Sequence, residues 1–288
     1  MSTAPQTKSG FCLLAGRSNV GKSTLLNALV GTKVAITSPK AQTTRFPIRG
    51  IVTRDQGQIV FVDTPGILEG TDALTRRINR SARKSFSGVD VVLYVVDPTR
   101  APGNEEKAMR SLVLASDAKK ILVVNKMDAP RQPWRDEYLL DKEDFDAAIE
   151  CSAKDRKNLE QLVAAIFDLL PEGELIYPKG QFSDLPHEVW LAEIIREKIF
   201  LQLRNEVPYQ TNVRVLSAEE RPNGVYAISA IIEIADPRYR PIIVGKGGQT
   251  IKSIGRSTRI ELEAALQHKV FLSLEVSINK HWREQLNG

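Results

Sequence analysis

Between residues 10 and 170, short and almost unbroken apolar runs alternate with stretches whose apolar residues recur at helical spacing. The runs fall at 11–15, 59–63, 89–97 and 120–125, the helical patterns at 23–30, 71–87, 104–115 and 158–170. Val/Ile/Leu-rich strands between helices predict a mostly parallel sheet covered on both faces, an α/β fold. Residues 49–53 are expected to pair with 59–63 as a hairpin, turning at Asp55-Gln-Gly57. After 186 the pattern changes. A helix is expected at 187–204, with Val189, Ala192, Ile195, Ile199 and Leu203 as its apolar stripe. Alternating strands follow at 211–218 and 225–235 around Pro222-Asn-Gly224, then a short element at 241–244. The glycine turn Gly245-Lys-Gly-Gly248, a helix at 249–266 and a strand at 270–278 complete a smaller α+β unit. The chain therefore divides into a flexible N-terminus (1–9), a first domain (10–170), a Pro- and Gly-bearing linker (171–186) and a second domain (187–288).

Composition narrows the setting. The 288 residues suffice for two ordinary domains, and 42% hydrophobic content supports real cores. A net charge of +5 mildly suits an anionic partner. Two cysteines, Cys12 and Cys151, do not make a disulfide scaffold and fit a reducing compartment. No apolar stretch approaches the ~20 residues of a membrane span. Residues 1–10 carry neither an apolar signal region nor an Arg-rich amphipathic pattern, so a cytoplasmic location is expected.

The candidate chemistry starts at residues 16–24, Gly16-Arg17-Ser18-Asn19-Val20-Gly21-Lys22-Ser23-Thr24. A glycine, four residues and then Gly-Lys-Ser, between an apolar strand and a helix, is the phosphate-binding loop. Its backbone N–H groups and the helix N-terminus would surround anionic oxygens. Lys22 would reach the outer phosphates, and the Ser23 hydroxyl would hold Mg²⁺. Asp63-Thr-Pro-Gly66 ends a strand, which puts Asp63 at the sheet's carboxyl edge, where open α/β folds bind ligands. Asp63 could hold a Mg²⁺ water, and the Gly66 N–H could meet a terminal phosphate; alone, the run also reads as an ordinary turn. Asn125-Lys126-Met-Asp128 ends another apolar strand. The Asp128 carboxylate can accept from a ring N–H and an exocyclic amine, a pair that guanine offers and adenine does not. Asn125 would support loop and base, and the Lys126 stem could cover the ring. The run Cys151-Ser152-Ala153-Lys154 could offer N–H groups to the base oxygen.

In the second domain, Gly245-Lys246-Gly247-Gly248 has the G-x-x-G form of the KH loop that clamps single-stranded nucleotides. Lys246, Lys252, Arg256 and Arg259 surround it, and residues 237–260 hold six Lys/Arg and no acid. Such a face suits phosphate contacts, or is simply a solvated helix face. Residues 171–288 carry fifteen basic and fifteen acidic side chains, so only the face is basic.

Together the first-domain motifs resemble the translation-factor-like GTPases over residues 10–170. The resemblance implies a switch segment at 37–45, with Thr44, rather than Thr43, closing on Mg²⁺ and the γ-phosphate. Ile67 stands where many regulatory GTPases carry a catalytic glutamine. Relatives with this substitution resemble K⁺-assisted GTPases, and Asn19 matches the loop asparagine that holds K⁺ there. Lys22, Thr44, Gly66 and Asn19 are thus the implied catalytic groups. With the KH-like unit, Ala192-Glu-Ile-Ile-Arg-Glu-Lys-Ile-Phe200 and Glu206-Val-Pro-Tyr209, almost the whole chain resembles the Era family of ribosome-associated GTPases. That resemblance implies a P-loop GTPase domain followed by a type II KH domain that binds single-stranded RNA near the 3′ end of small-subunit ribosomal RNA. It implies action in small-subunit maturation, a GTP-favoured RNA-bound form, a monomer, and a theme of peripheral membrane association for which no amphipathic anchor is evident. Trp282, in the matching tail, either stacks on a base or packs against its domain. Three features depart from the pattern: the short, charged stretch 129–149, the run Asp155-Arg-Lys-Asn158 without a glycine before its asparagine, and Phe46-Pro47 after the switch. Arg76, Arg77, Arg80, Arg83 and Lys84 make the expected helix 71–87 basic, for RNA or for solvent. The alternative function is a nucleotide-dependent RNA-binding scaffold with incidental hydrolysis. A GTPase of tRNA modification would need a further catalytic module, for which the chain has no room.

Overall fold

The computed structural model of the chain describes residues 7–38, 48–63 and 84–285. Packing separates it into two compact units, one ending at Asp184 and the other running from Leu185. In the first unit six strands, β1 (Lys8–Ala15), β2 (Ile48–Arg54), β3 (Gly57–Asp63), β4 (Val91–Val96), β5 (Lys119–Val124) and β6 (Ala147–Glu150), form one sheet. Its order is β2-β3-β1-β4-β5-β6. β2 runs antiparallel to β3, as the expected hairpin, and the other pairs are parallel. Every residue of β4 is buried, which explains its unbroken apolar run. Helices α1 (Lys22–Val30) and α4 (Leu159–Leu169) pack together on the sheet. Met109 and Val113 of α2 (Asn104–Leu114) pack with Leu13, Val92, Tyr94 and Val96. The chain crosses from one side of β1 to the other, so the end of β1 is a topological switch point, where such sheets bind ligands.

Two expectations need correction. Lys8 and Ser9, expected in a flexible arm, begin β1: Lys8 stands opposite Gly57, and its Nζ donates to the carbonyls of Phe167 and Asp168 at the end of α4. Polar side chains hid this extension of the apolar run. Residues 171–184, expected as part of a linker, are bound along the first unit. Gly173 N donates to Thr7 O, Ile51 N to Phe182 O, and the buried Gln58 amide bonds the backbone of Ile176 and Tyr177. Those bonds are mostly to backbone, which a polar, Pro-rich sequence does not advertise. The short, charged stretch 129–149 holds the six-residue α3 (Arg135–Leu140) and the start of β6. β6 is a four-residue edge strand, too short to show a period.

The second unit follows the expected order: α5 (His187–Gln202), β7 (Thr211–Glu220), β8 (Val225–Ile234), α6 (Arg240–Val244), α7 (Gln249–Leu266) and β9 (Lys269–Ile278). The sheet is β7-β8-β9, antiparallel then parallel. α5 serves two apolar clusters, with Ile195 and Ile199 in one and Leu191 and Ile194 in the other. Its buried face is therefore wider than one stripe, and Val189 lies outside it, 40% exposed.

Candidate functional site

The loop from Gly16 to Gly21 joins the end of β1 to α1. Gly21 has φ +101°, and a Cβ there would lie 2.4 Å from Asn125 Nδ2, so this position needs glycine twice over. The reason is that Asn125 crosses beside the loop. Its Nδ2 donates to Val20 O at 2.9 Å, and its Oδ1 accepts from Ala153 N at 3.0 Å. One amide thus ties together three motifs far apart in sequence. Lys22 is buried, its Nζ donating to Gly16 O (2.8 Å) and Arg17 O (2.9 Å). Burial lowers its pKa, and the carboxylates of Asp63 and Glu106 oppose that shift. Ser23 Oγ donates to Asp63 Oδ2 at 2.5 Å, bringing a hydroxyl and a carboxylate together beside the phosphate loop. Asn19 is exposed in the left-handed conformation, φ +65°.

Beyond β5, Lys126 adopts φ +61°. Asp128 Oδ1 accepts from Ser152 Oγ at 2.7 Å, and Lys154 Nζ lies 3.6 Å from Oδ2. The Ser152 hydroxyl, above all, holds this carboxyl below its usual range. Ser152 also accepts from Asp155 N and exchanges backbone bonds with Lys157. The loop closes without the missing glycine because Arg156 (φ 55°) and Asn158 (φ 59°) take the left-handed conformation themselves. Asn158 Nδ2 fixes the turn on Glu150 O. Burial pushes the Cys151 thiol up to about 12, so it stays a neutral core group.

In the second unit, Gly245, Gly247 and Gly248 all have positive φ between α6 and α7. A Cβ on Gly245 would meet Thr250 Oγ1 at 2.2 Å, so the tight entry into α7 admits only glycine. Lys246, Lys252, Arg256 and Arg259 are exposed. Lys252, Arg256 and Arg259 join Ile251, Leu272 and Leu274 around a groove of about 370 Å³ between α7 and β9. Its apolar floor and cationic rim suit bases and phosphates of a single strand. Trp282 is 2% exposed, so it packs against its own domain and offers no stacking face.

Comparison with known proteins gives the same division. Residues 11–126 match the family described as 50S ribosome-binding GTPase, and residues 206–283 match the KH domain. GTPase Era of Geobacter sp. is 42% identical over 96% of this chain and 94% of its own length. GTPase Era of Deinococcus radiodurans is 39% identical over 97% and 93%. The chain belongs to the Era family of GTPases. An Aquifex aeolicus Era structure bound to GDP and AlF₄⁻ superposes with a TM-score of 0.89 at 35% identity, covering 98% of this chain and 97% of that one. An Era structure with MgGDPNP and nucleotides 1506–1542 of 16S ribosomal RNA gives 0.88 at 34% identity, with the same coverage. As an Era-family member, the chain is a GTPase: it hydrolyses GTP and pairs that activity with a KH domain. No helix among the described residues is long and apolar enough to cross a membrane.

Two carboxylates of this Era-family site escaped the motif reading. Asp97, just past β4, is fully buried. Its Oδ2 accepts from Lys126 Nζ at 2.6 Å, and the same ammonium reaches Asn19 O at 2.8 Å, so Asp97 steadies both base loop and phosphate loop. Burial alone would raise its pKa, but the bonds from Lys126 and Thr99 outweigh it and the group sits low. A carboxylate closing an apolar strand was the available signal, the same one that marked Asp63. Glu106, on α2, pairs with Arg17 at 3.3 Å, and both are buried. The Arg17 guanidinium therefore turns into the protein, and only its backbone remains for a nucleotide. Thr44, Gly66, Ile67, Phe46, Pro47, most of the expected switch and most of the basic helix 71–87 lie outside the described residues.

Proposed function

We propose that this chain is a GTP-driven switch that binds the single-stranded 3′ region of small-subunit ribosomal RNA and serves small-subunit maturation in the cytoplasm. The convergence on Asn125 carries the nucleotide half of this reading. It draws the phosphate loop, the base loop and the Ser152–Lys154 turn to one sheet edge. In it, Lys22 stays between the Gly16 and Arg17 carbonyls and turns its third N–H to the phosphate oxygens, and the N–H groups of residues 16–24 line the phosphates. Asp128 accepts the two guanine donors, Ala153 and Lys154 face the base oxygen, and the Lys126 stem covers the ring. Ser23 and Asp63 are the oxygen donors that Mg²⁺ favours, and they stand within a hydrogen bond of each other, so they fit that ion together with Thr44. Mg²⁺ would neutralise charge on the phosphates. The Asn19 side chain supplies a neutral amide oxygen at an exposed loop tip, which fits K⁺. No arginine finger is available from Arg17, so unaided turnover is slow.

The groove between α7 and β9 supports the RNA half, as does the relative solved with a 16S ribosomal RNA fragment. In this reading Lys246, Lys252, Arg256 and Arg259 contact the RNA backbone. Nothing supports a membrane contact, and a single copy of the chain suffices for both sites. The test is GTP hydrolysis in KCl and in NaCl, with and without an RNA ending in the small-subunit 3′ sequence. Stimulation by both K⁺ and RNA is expected. Indifference to RNA would sink the coupling, and indifference to K⁺ the role of Asn19.

A further inference from the structure

We propose that the buried pair Arg17–Glu106 is a positioning device for Lys22, fixing the phosphate-loop backbone that aims the lysine at the nucleotide. The connection can be followed contact by contact. Tyr94 lies in β4 directly opposite Ala15, the last residue before the loop. Its hydroxyl donates to Glu106 Oε1 at 2.6 Å, and the Tyr138 hydroxyl lies 3.5 Å from Oε2. Glu106 Oε2 lies 3.3 Å from Arg17 Nε, an ion pair without a hydrogen bond at that nitrogen, and Arg17 Nη1 donates to Ala101 O at 3.1 Å. Arg17 is thus gripped from the sheet centre and from the α2 entry. Its own carbonyl, with that of Gly16, receives Lys22 Nζ. A shift in the pair moves the acceptors that orient the lysine.

Stability alone does not account for the pair. Arg17 is 5% and Glu106 2% exposed, and desolvating two charges offsets most of their attraction. Burial raises the pKa of Glu106 against the bond from Tyr94, and neither Nε nor Nη2 of Arg17 finds a hydrogen-bond partner among the described residues. Apolar side chains of similar volume would fold at least as well. What they would lose is the fixed geometry and a carboxylate whose field favours the charged form of the buried Lys22.

The experiment replaces both partners, Arg17→Met with Glu106→Leu, so that no lone charge is buried. Thermal unfolding, GTP and GDP affinity, ATP affinity and kcat/KM are compared with the wild-type chain, whose own GTP binding checks the site. The expected result is a retained melting temperature, a ~10-fold loss of affinity for both GTP and GDP, a similar fall in kcat/KM, and an unchanged GTP-over-ATP preference, since the base loop is untouched. A folded double variant with wild-type affinity and kcat/KM overturns the proposal, and so does one whose base preference collapses along with its affinity. If the double variant does not fold, Tyr94→Phe decides: it removes only the hydroxyl on Glu106. A fall of roughly threefold in nucleotide affinity supports the proposal, and no change overturns it.

Discussion

Lys22 and Lys252 both serve phosphate in this account, yet they sit in opposite surroundings. Lys22 is 7% exposed, and its ammonium is held by two loop carbonyls. Lys252 is exposed on α7, at the rim of an open groove. The first site is pre-assembled: Asn125, Asp97 and Glu106 hold its loops from behind. The second is shaped by glycine backbone and leaves its charges in water. A buried, internally bonded site can discriminate one base from another, because a wrong partner strands buried polar groups. An exposed cationic groove can grip a strand, but its strength is spread over many weak, salt-screened contacts.

That contrast can be broken in order of expected size. Lys22→Ala should remove the phosphate cation and lower kcat/KM for GTP by at least ~10³-fold in steady-state kinetics. A loss below tenfold would mean the lysine is not aimed at phosphate. Asp128→Ala should collapse the preference for GTP over ATP by ~10²-fold or more in competition binding, with hydrolysis of saturating GTP affected far less. In the second unit, Gly245→Ala must leave a left-handed conformation and avoid Thr250, so RNA affinity should fall ~10-fold in fluorescence anisotropy. The smallest effects belong to the rim. Lys252→Ala and Arg256→Ala should each weaken RNA binding a few-fold and lower the salt slope by about 0.7 per cation. A ten-thousandfold loss at either would erase the contrast.

Much of this was legible in the residues because local chemistry and global fold agree there. The strand–loop–helix around Gly16–Thr24 and the turn Gly245–Gly248 need glycines and cations at set spacings, and those spacings survive translation into structure. The α/β alternation was equally plain, since strands buried on both faces read as unbroken apolar runs. What escaped was held by long-range bonds. Gln58 secures residues 176 and 177 from more than a hundred positions away. Glu106 reads as one of two acids at the start of a helix, and only the fold brings it under Arg17. β6 exists because β5 offers it a parallel edge, with Ile121 opposite Ala147, and not because of its own four residues.

The central claim is that the nucleotide held in the first site sets the grip of the second. The most direct measurement is the affinity of the chain for a single-stranded RNA ending in the small-subunit 3′ sequence, once loaded with GDP and once with a non-hydrolysable GTP analogue, in KCl. Tighter binding of the analogue-loaded form is expected. Equal affinities would contradict the switch and leave an RNA-binding scaffold whose hydrolysis is incidental.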